Sequence, residues 1–448
     1  QSVVKDATFK NMPNECLFLG EYCSIINCTA FDLNGSFTHI SSDNSQQTSE
    51  IRGQNIIKGN HCRNICEIPF AINGHNRGAF EFSANAERSI IVNNVIDGCG
   101  ESVLGSTNNA SKLIFDANQA YNCNGVIFGT SFGNIINDIV ISNNLLDTCL
   151  SFQFENNSSA IHSTGFGLNN INISNNVIKN TKFSFRYCTN INFYDNKIEW
   201  LDDFVYPTTI NGREIKLINQ TRHLVLSRCS DYKVIGNTFV NKKKTQGLIK
   251  TCILTRESNS PILIKTSSTT STKYQYYNRY SKIENNIIVG YAKALANNNP
   301  KDNGMDFSLL GFNFSNNTIV ARDDADADVL VRTSPGGVYD SNNIYADSNT
   351  PEAIQVDTAS AFSKDDINGP IINNNKIFGN PGISMKVGQG DATQAQLDKS
   401  WNAIVLNNIV SVAIINEVPS QNTVQGNVLL PVTETLPLKL IRKDLGFY

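Results

Sequence analysis

Along most of the chain, apolar and polar residues alternate in runs of three to five, and many runs meet at an asparagine followed by two more apolar residues. The pattern reads IIVNNVIDG at 90–98, IVISNNLLD at 139–147, INISNNVIK at 171–179 and INFYDNKIE at 191–199. Further on come KVIGNTFV, KIENNIIV, FNFSNNTIV and PIINNNKIF. A period of two describes a β-strand with one face turned inward, so these segments predict short strands bent at the asparagine. Helical repeats need apolar spacings of three and four, and the Asn, Gly and Thr that interrupt these runs are poor in helix interiors.

Sixty-two of the 448 residues are asparagine, and the last one of each motif gives Asn60, Asn94, Asn144, Asn176, Asn196, Asn237, Asn286, Asn317, Asn343, Asn375, Asn408 and Asn427. The mean step is about 33 residues, and the long step after Asn94 holds a degenerate copy at Asn118. A period of 20 to 50 residues signals a solenoid. Asparagine tolerates the left-handed backbone of a sharp bend, and stacked amides hydrogen-bond along a coil axis. The expected fold is all-β, a right-handed parallel β-helix of about a dozen coils over 1–430. Insertions are expected near 207–224 and 254–282. Residues 431–448 lose the asparagine pattern and are expected to cap the open end or to contact partner chains.

Charged residues make up 17% of the chain and the net charge is −3, which lacks the basic footprint of a nucleic-acid binder. No apolar run is long enough for a transmembrane helix, so no membrane partner is expected. Eleven cysteines recur near the ends of repeat units, as at Cys99, Cys123, Cys149 and Cys188, without zinc-site spacing. They read as reduced core residues. The acidic run RDDADAD at 322–328 lacks the glycine and final glutamate of a calcium loop and reads as a solvated turn. No metal and no cofactor are expected.

From about Cys16 to Asn427 the repeated asparagine corner resembles the β-helix repeats of the pectate-lyase-like superfamily, and particularly those of bacteriophage tailspike depolymerases. The resemblance implies a homotrimer with coils side by side, carried on a virion tail and acting on a bacterial capsular or O-antigen polysaccharide. The calcium and catalytic signatures of pectate lyase do not stand out here, so none of that enzyme's residues carries over. The chain starts at Gln1 without a secretion signal, as expected of a fragment whose particle-binding part lies upstream. Lyases, hydrolases, epimerases and adhesins share this scaffold, so function rests on outward residues and loops.

Segments eight to eleven residues beyond a corner asparagine identify their inward positions by aromatics. In SFQFE (151–155) Phe152 and Phe154 turn in, leaving Gln153 and Glu155 out. The same rule exposes Glu81 in AFEFS (79–83), Ser184 and Arg186 in FSFR (183–186), and Asp203 in DFVY (203–206). On successive strands Glu155, Arg186 and Asp203 would form a column, with the two carboxylates about 9 to 10 Å apart. That is near the upper limit for an inverting glycosidase's acid and base. Glu155 and Asp203 are therefore the catalytic candidates, with Asp202 and Glu81 in reserve. Arg186, Gln153, His162, Arg213, Tyr274, Tyr276 and Tyr277 are candidate substrate contacts, the tyrosines because aromatic rings stack on sugars. His162 as a base beside Arg186 suits a polysaccharide lyase instead. A binding-only adhesin is the third reading. An outward Glu beside an outward Arg is also what an ordinary surface ion pair looks like, worth under about 1 kcal/mol.

Overall fold

The computed structural model describes residues 2–13, 15–40, 52–66, 78–82, 86–106, 110–130, 136–156, 168–186, 188–201, 204, 209–210, 213–214, 222–227, 229, 231–242, 250–256, 261–262, 275–277, 281–298, 301–302, 305–306, 309–310, 313–322, 329–333, 336–346, 350–356, 369–378, 382–385, 403–411, 413–417 and 422–430. The described residues form strands, turns and bends with no helix. The chain divides into two compact units, Gln1–Asn219 and Gln220–Tyr448.

In the first unit the strands Ser2–Lys5, Cys23–Ile26, Ile56–Lys58, Ile90–Val92, Ala110–Asp116, Ile136–Ser142, Leu168–Ser174 and Cys188–Tyr194 each pair in parallel with the next. A second face runs Gly78–Phe82, Val95–Ser106, Gln119–Thr130, Leu145–Asn156, Lys182–Arg186, again parallel and in chain order. When every strand pairs with its equivalent one turn later, the chain is coiling: this is a parallel β-helix. The second unit repeats the arrangement from Lys233–Ile235 through Lys282–Glu284, Asn313–Ser315, Val338–Asp340, Ile371–Asn373 and Ile404–Leu406 to Thr423–Gln425. Antiparallel pairs occur outside the coils. Thr209–Ile210 meets Arg213–Glu214, and Pro261–Ile262 meets Gln275–Tyr277, both inside the expected insertions. A third, Lys301–Asp302 with Met305–Asp306, falls where no insertion was expected. The coil strand Arg222–Ser227 occupies the end of the first expected insertion.

The corners explain the asparagines. Left-handed backbone recurs at five-residue intervals through the first unit: Tyr22, Asn27 and Asp32; Gln54, Gly59 and Asn64; Arg88, Asn93 and Gly98; Lys112, Ala117 and Asn122; Asp138, Asn143 and Thr148; Asn170, Asn175 and Asn180. Asn and Asp adopt this conformation more cheaply than other side-chain-bearing residues. At the central corner two jobs are split between neighbours. The first residue takes the left-handed turn, and the next buries its amide in a ladder. Asn144 donates from its backbone N–H and its Nδ2 to Oδ1 of Asn176, 2.9 Å each, and from Nδ2 to the Phe115 carbonyl at 3.0 Å. Asn60, Asn94 and Asn118 do the same toward their successors.

The ladder corrects one position. In the second unit it passes through Asn342, whose Oδ1 accepts from Asn317 and whose N–H donates to Asn375, both 3.0 Å. Asn343 instead opens the next strand, because Tyr339 and Ile344 are the inward residues and only Asn342 fits between them. Two early coils carry Ala7 and Cys28 after the left-handed Asp6 and Asn27, so the asparagine pattern missed them.

Inside the first unit, aromatic side chains stack coil on coil. The rings of Phe128, Phe154 and Phe185 lie 5.2 Å apart, tilted by only 11° and 7°. Cys99, Cys123 and Cys149 occupy one register position on three consecutive coils. All eleven cysteines stand as thiols and nine are buried, as the sequence suggested. Burial pushes the Cys62 and Cys123 thiols well above their ordinary range, so these are packing groups.

The two asparagines of one corner separate these roles. Asn176→Ala removes the acceptor for two buried donors of Asn144, a cost of about 1–3 kcal/mol per orphaned group. Asn175→Gly keeps the left-handed turn and loses little. Chemical denaturation should show a large fall in midpoint for the first and a small change for the second; equal effects would contradict the ladder.

Candidate functional site

A twelve-residue strand of the first unit and the five-residue strand beside it carry the candidate site. Leu145–Asn156 and Lys182–Arg186 pair with Phe152 opposite Phe183 and Phe154 opposite Phe185, all four buried. The intervening side chains therefore point away from the core, as Ser151, Gln153 and Glu155 on one strand and Lys182, Ser184 and Arg186 on the next. The register sets Glu155 opposite Arg186 and Gln153 opposite Ser184.

Hydrogen bonds organise this patch. Ser184 donates its hydroxyl to Oε1 of Glu155 at 3.0 Å, and the Gln153 amide donates to Oγ of Ser151 at 3.2 Å. Ser151 in turn donates to the Asn124 carbonyl. Glu155 is half-buried and Arg186 exposed, whereas Ser184 is buried, which corrects the expectation that it would lie open. A short hydroxyl beneath a half-buried carboxylate holds one oxygen in place and leaves room for chemistry at the other.

Lys182 is the residue that sequence reasoning passed over. It is 2% exposed, with Nζ 6.0 Å from the Trp200 ring, and burial pulls its pKa down to about 8. Continuing the alternation K-F-S-F-R one step back from Ser184 marks it as outward, the same rule that found Arg186.

Glu81 requires a correction. Expected on the open face, it is 6% exposed, and its Oε2 accepts from the Ser36 hydroxyl at 2.8 Å. His39 Nε2 lies 4.0 Å from its Oε1. Contacts from the preceding coils cover this end of the face, which the alternation rule could not register. Successive pairings Glu81 to Gly105, Gly105 to Ile127 and Ile127 to Gln153 put it three coil steps from the Glu155 patch. At about 4.8 Å per step, some 14 Å separates them, beyond the roughly 9.5 Å that an inverting acid and base span. Glu81 and Glu155 are not such a pair.

Asp202, Asp203, His162 and Tyr274 lie outside the described residues. Arg213 sits in the short antiparallel pair with Thr209–Ile210. Tyr276 and Tyr277 lie in a strand in the second unit, with Tyr276 opposite Pro261 on one side and Leu309 on the other. Among the described residues no cluster of three or more metal-ligating side chains occurs.

No protein-family model matches the sequence, and no curated relative does. Among solved structures the chain is similar to PfbA, a surface adhesin of Streptococcus pneumoniae, with TM-score 0.39 and 11% identity over 85% of this chain and 82% of that one. A cysteine-to-alanine mutant of DFA-IIIase from Arthrobacter chlorophenolicus A6, in complex with DFA-III, gives 0.36 and 10% over 96% and 89%. A mutant tailspike protein of E. coli bacteriophage HK620, in complex with a pentasaccharide, gives 0.34 and 12% over 96% and 70%. A tailspike is thus among the structures similar to this chain; at these levels the likeness concerns coil architecture alone.

The lowered pKa of Lys182 has a measurable consequence. The unfolded chain takes up this proton near pH 10.5, the folded one only near 8, so folding is penalised fully below about pH 8 and not at all above 10.5. Lys182→Met should therefore raise the melting temperature at pH 7, with the gain shrinking between pH 8 and 10.5. A gain independent of pH would assign the effect to packing alone.

Proposed function

We propose that this chain is a tailspike-type depolymerase that cleaves a bacterial capsular or O-antigen polysaccharide by acid-base glycoside hydrolysis, with Glu155 as the proton donor. The observation that carries this reading is the Glu155 carboxylate: half-buried, held through one oxygen by Ser184, and opposite an exposed arginine on a polar patch of the coil face. Gln153 and Arg186 bind sugar hydroxyl or acidic groups beside it. Asp203, with Asp202 next to it in sequence, is the base in this reading. It brings with it homotrimeric assembly and a place on the virion tail.

One observation favours a second reading, β-elimination by a polysaccharide lyase. Arg186 stands exposed on the outward face, where it would steady the charge of a uronate, with His162 as the base in this reading.

Incubation with a panel of purified bacterial surface polysaccharides, followed by fragment mass analysis, tests both. Hydrolysis shortens the polymer without new ultraviolet absorbance, whereas elimination adds the absorbance of a product double bond. Glu155→Gln and Asp203→Asn should each reduce turnover at least a hundredfold with melting nearly unchanged. Full activity in Glu155→Gln would move the chemistry elsewhere. Stable binding without shortening by the parent protein would make it an adhesin.

A further inference from the structure

We propose that Asp97, Tyr121 and Asp147 form an accessory subsite for a neutral pyranose ring of the polymer, on a wall of the first unit next to the Glu155 patch. This subsite deepens the polysaccharide reading and rests on it for the identity of the polymer. The register sets the three at one position on consecutive coils, between two cations. Arg63 pairs with Asp97, Asp97 with Tyr121, Tyr121 with Asp147, and Asp147 with Lys179. Their neighbours Cys62, Ile96, Ala120, Leu146 and Ile178 are fully buried, so the row itself faces outward. Asp147 and Glu155 share the strand Leu145–Asn156, and the left-handed turn at Thr148 lies between them and separates their walls.

Tyr121 supplies the floor. Its hydroxyl donates to Oε1 of Gln119 at 2.9 Å, two residues back, which draws the ring along its own strand instead of letting it stand off the wall. A half-buried aromatic ring among polar groups stacks on the C–H face of a sugar, while the sugar's hydroxyls reach sideways.

The carboxylates stand where those hydroxyls end. Each lies one coil from Tyr121, so about 9 to 10 Å separates them across the ring. A pyranose over Tyr121 has hydroxyls at opposite edges, and each edge can donate to one carboxylate. Both groups are half-buried and held in place without being saturated. Asn122 donates to Oδ1 of Asp97 at 3.3 Å, Thr148 donates to Oδ1 of Asp147 at 3.1 Å, and Lys179 Nζ lies 3.5 Å from its Oδ2. A carboxylate has about four acceptor sites, so each keeps lone pairs for a hydroxyl. Among the described residues Asp97 makes no ion pair, although the exposed Arg63 is its register partner.

Charge sets the class of sugar. A uronate or sialate over Tyr121 would bring a third carboxylate between two others, while a neutral ring brings only hydroxyl donors. An acidic unit of the same polymer would meet the exposed Arg63 one coil further on.

Two measurements on the intact protein test this. Saturation-transfer NMR with the methyl glycosides of glucose, galactose and N-acetylglucosamine, and with glucuronate as the acidic probe, reads the subsite without the polymer. At least one neutral sugar should give transfer that Tyr121→Ala abolishes, Asp97→Asn lowers several-fold and Tyr121→Phe retains, with melting nearly unchanged. Any glucuronate transfer should be indifferent to Tyr121→Ala. Should Tyr121→Ala fail to fold, Asp97→Asn carries the same test. Affinity electrophoresis of Glu155→Gln through gels holding the polysaccharide panel reads the polymer, and adding Tyr121→Ala should weaken retention at least threefold. Absent neutral-sugar transfer, or transfer indifferent to Tyr121→Ala and Asp97→Asn, overturns the subsite and leaves the row a structural charge ladder, whatever the gels show. Retention unchanged by Tyr121→Ala overturns it while leaving the polysaccharide reading standing. Neutral-sugar transfer lost in Tyr121→Ala, without retention by any polymer, sinks the polysaccharide reading and keeps the sugar subsite.

Discussion

The structure depends on one arrangement: a buried asparagine amide that accepts two hydrogen bonds from the coil before it. A coil of short strands must turn sharply several times, and each turn interrupts the strand ladder that would otherwise satisfy its backbone groups. At the central corner the carboxamide replaces what the turn removes. Asn144 and Asn176 show the full set, with backbone and side-chain donors converging on one oxygen. Because both partners are buried, the bonds are costly to lose and specify register as well as stability. The aromatic and thiol stacks fill the core, but the amides decide which residue faces it.

The same register creates the outward face. Once Phe152, Phe154, Phe183 and Phe185 are committed inward, Gln153, Glu155, Ser184 and Arg186 have nowhere to go but out. The site is thus a by-product of the core: shifting a strand by one residue would bury Glu155 and expose a phenylalanine.

Much of the coil architecture was legible, because a two-residue apolar period and a recurring asparagine leave few alternatives. What escaped has physical reasons. Asn342 and Asn343 are chemically identical neighbours, and only the inward direction of Tyr339 and Ile344 separates them. Ala7 and Cys28 hold ladder positions without an amide, so the first coils left no mark. The five-residue spacing of left-handed corners was present in the sequence but spread over Asn, Asp, Gly, Lys, Arg, Thr, Tyr, Gln and Ala, which blurs it for the eye. At the site, alternation gave Glu155 and Arg186 their direction. It could not give burial, since Glu81 is covered by Ser36 and His39, residues more than forty positions earlier in the chain.

The amide ladder also has a direction. The oxygen that satisfies each corner belongs to the coil that comes later in the chain, as Asn118 waits on Asn144 and Asn144 on Asn176. On the ribosome, the coil most recently emerged holds unmet donors until the following thirty or so residues arrive. Completion of each turn therefore trails synthesis by one turn, and a pause in translation leaves a single sticky rim at the growing end, with the finished coils behind it closed.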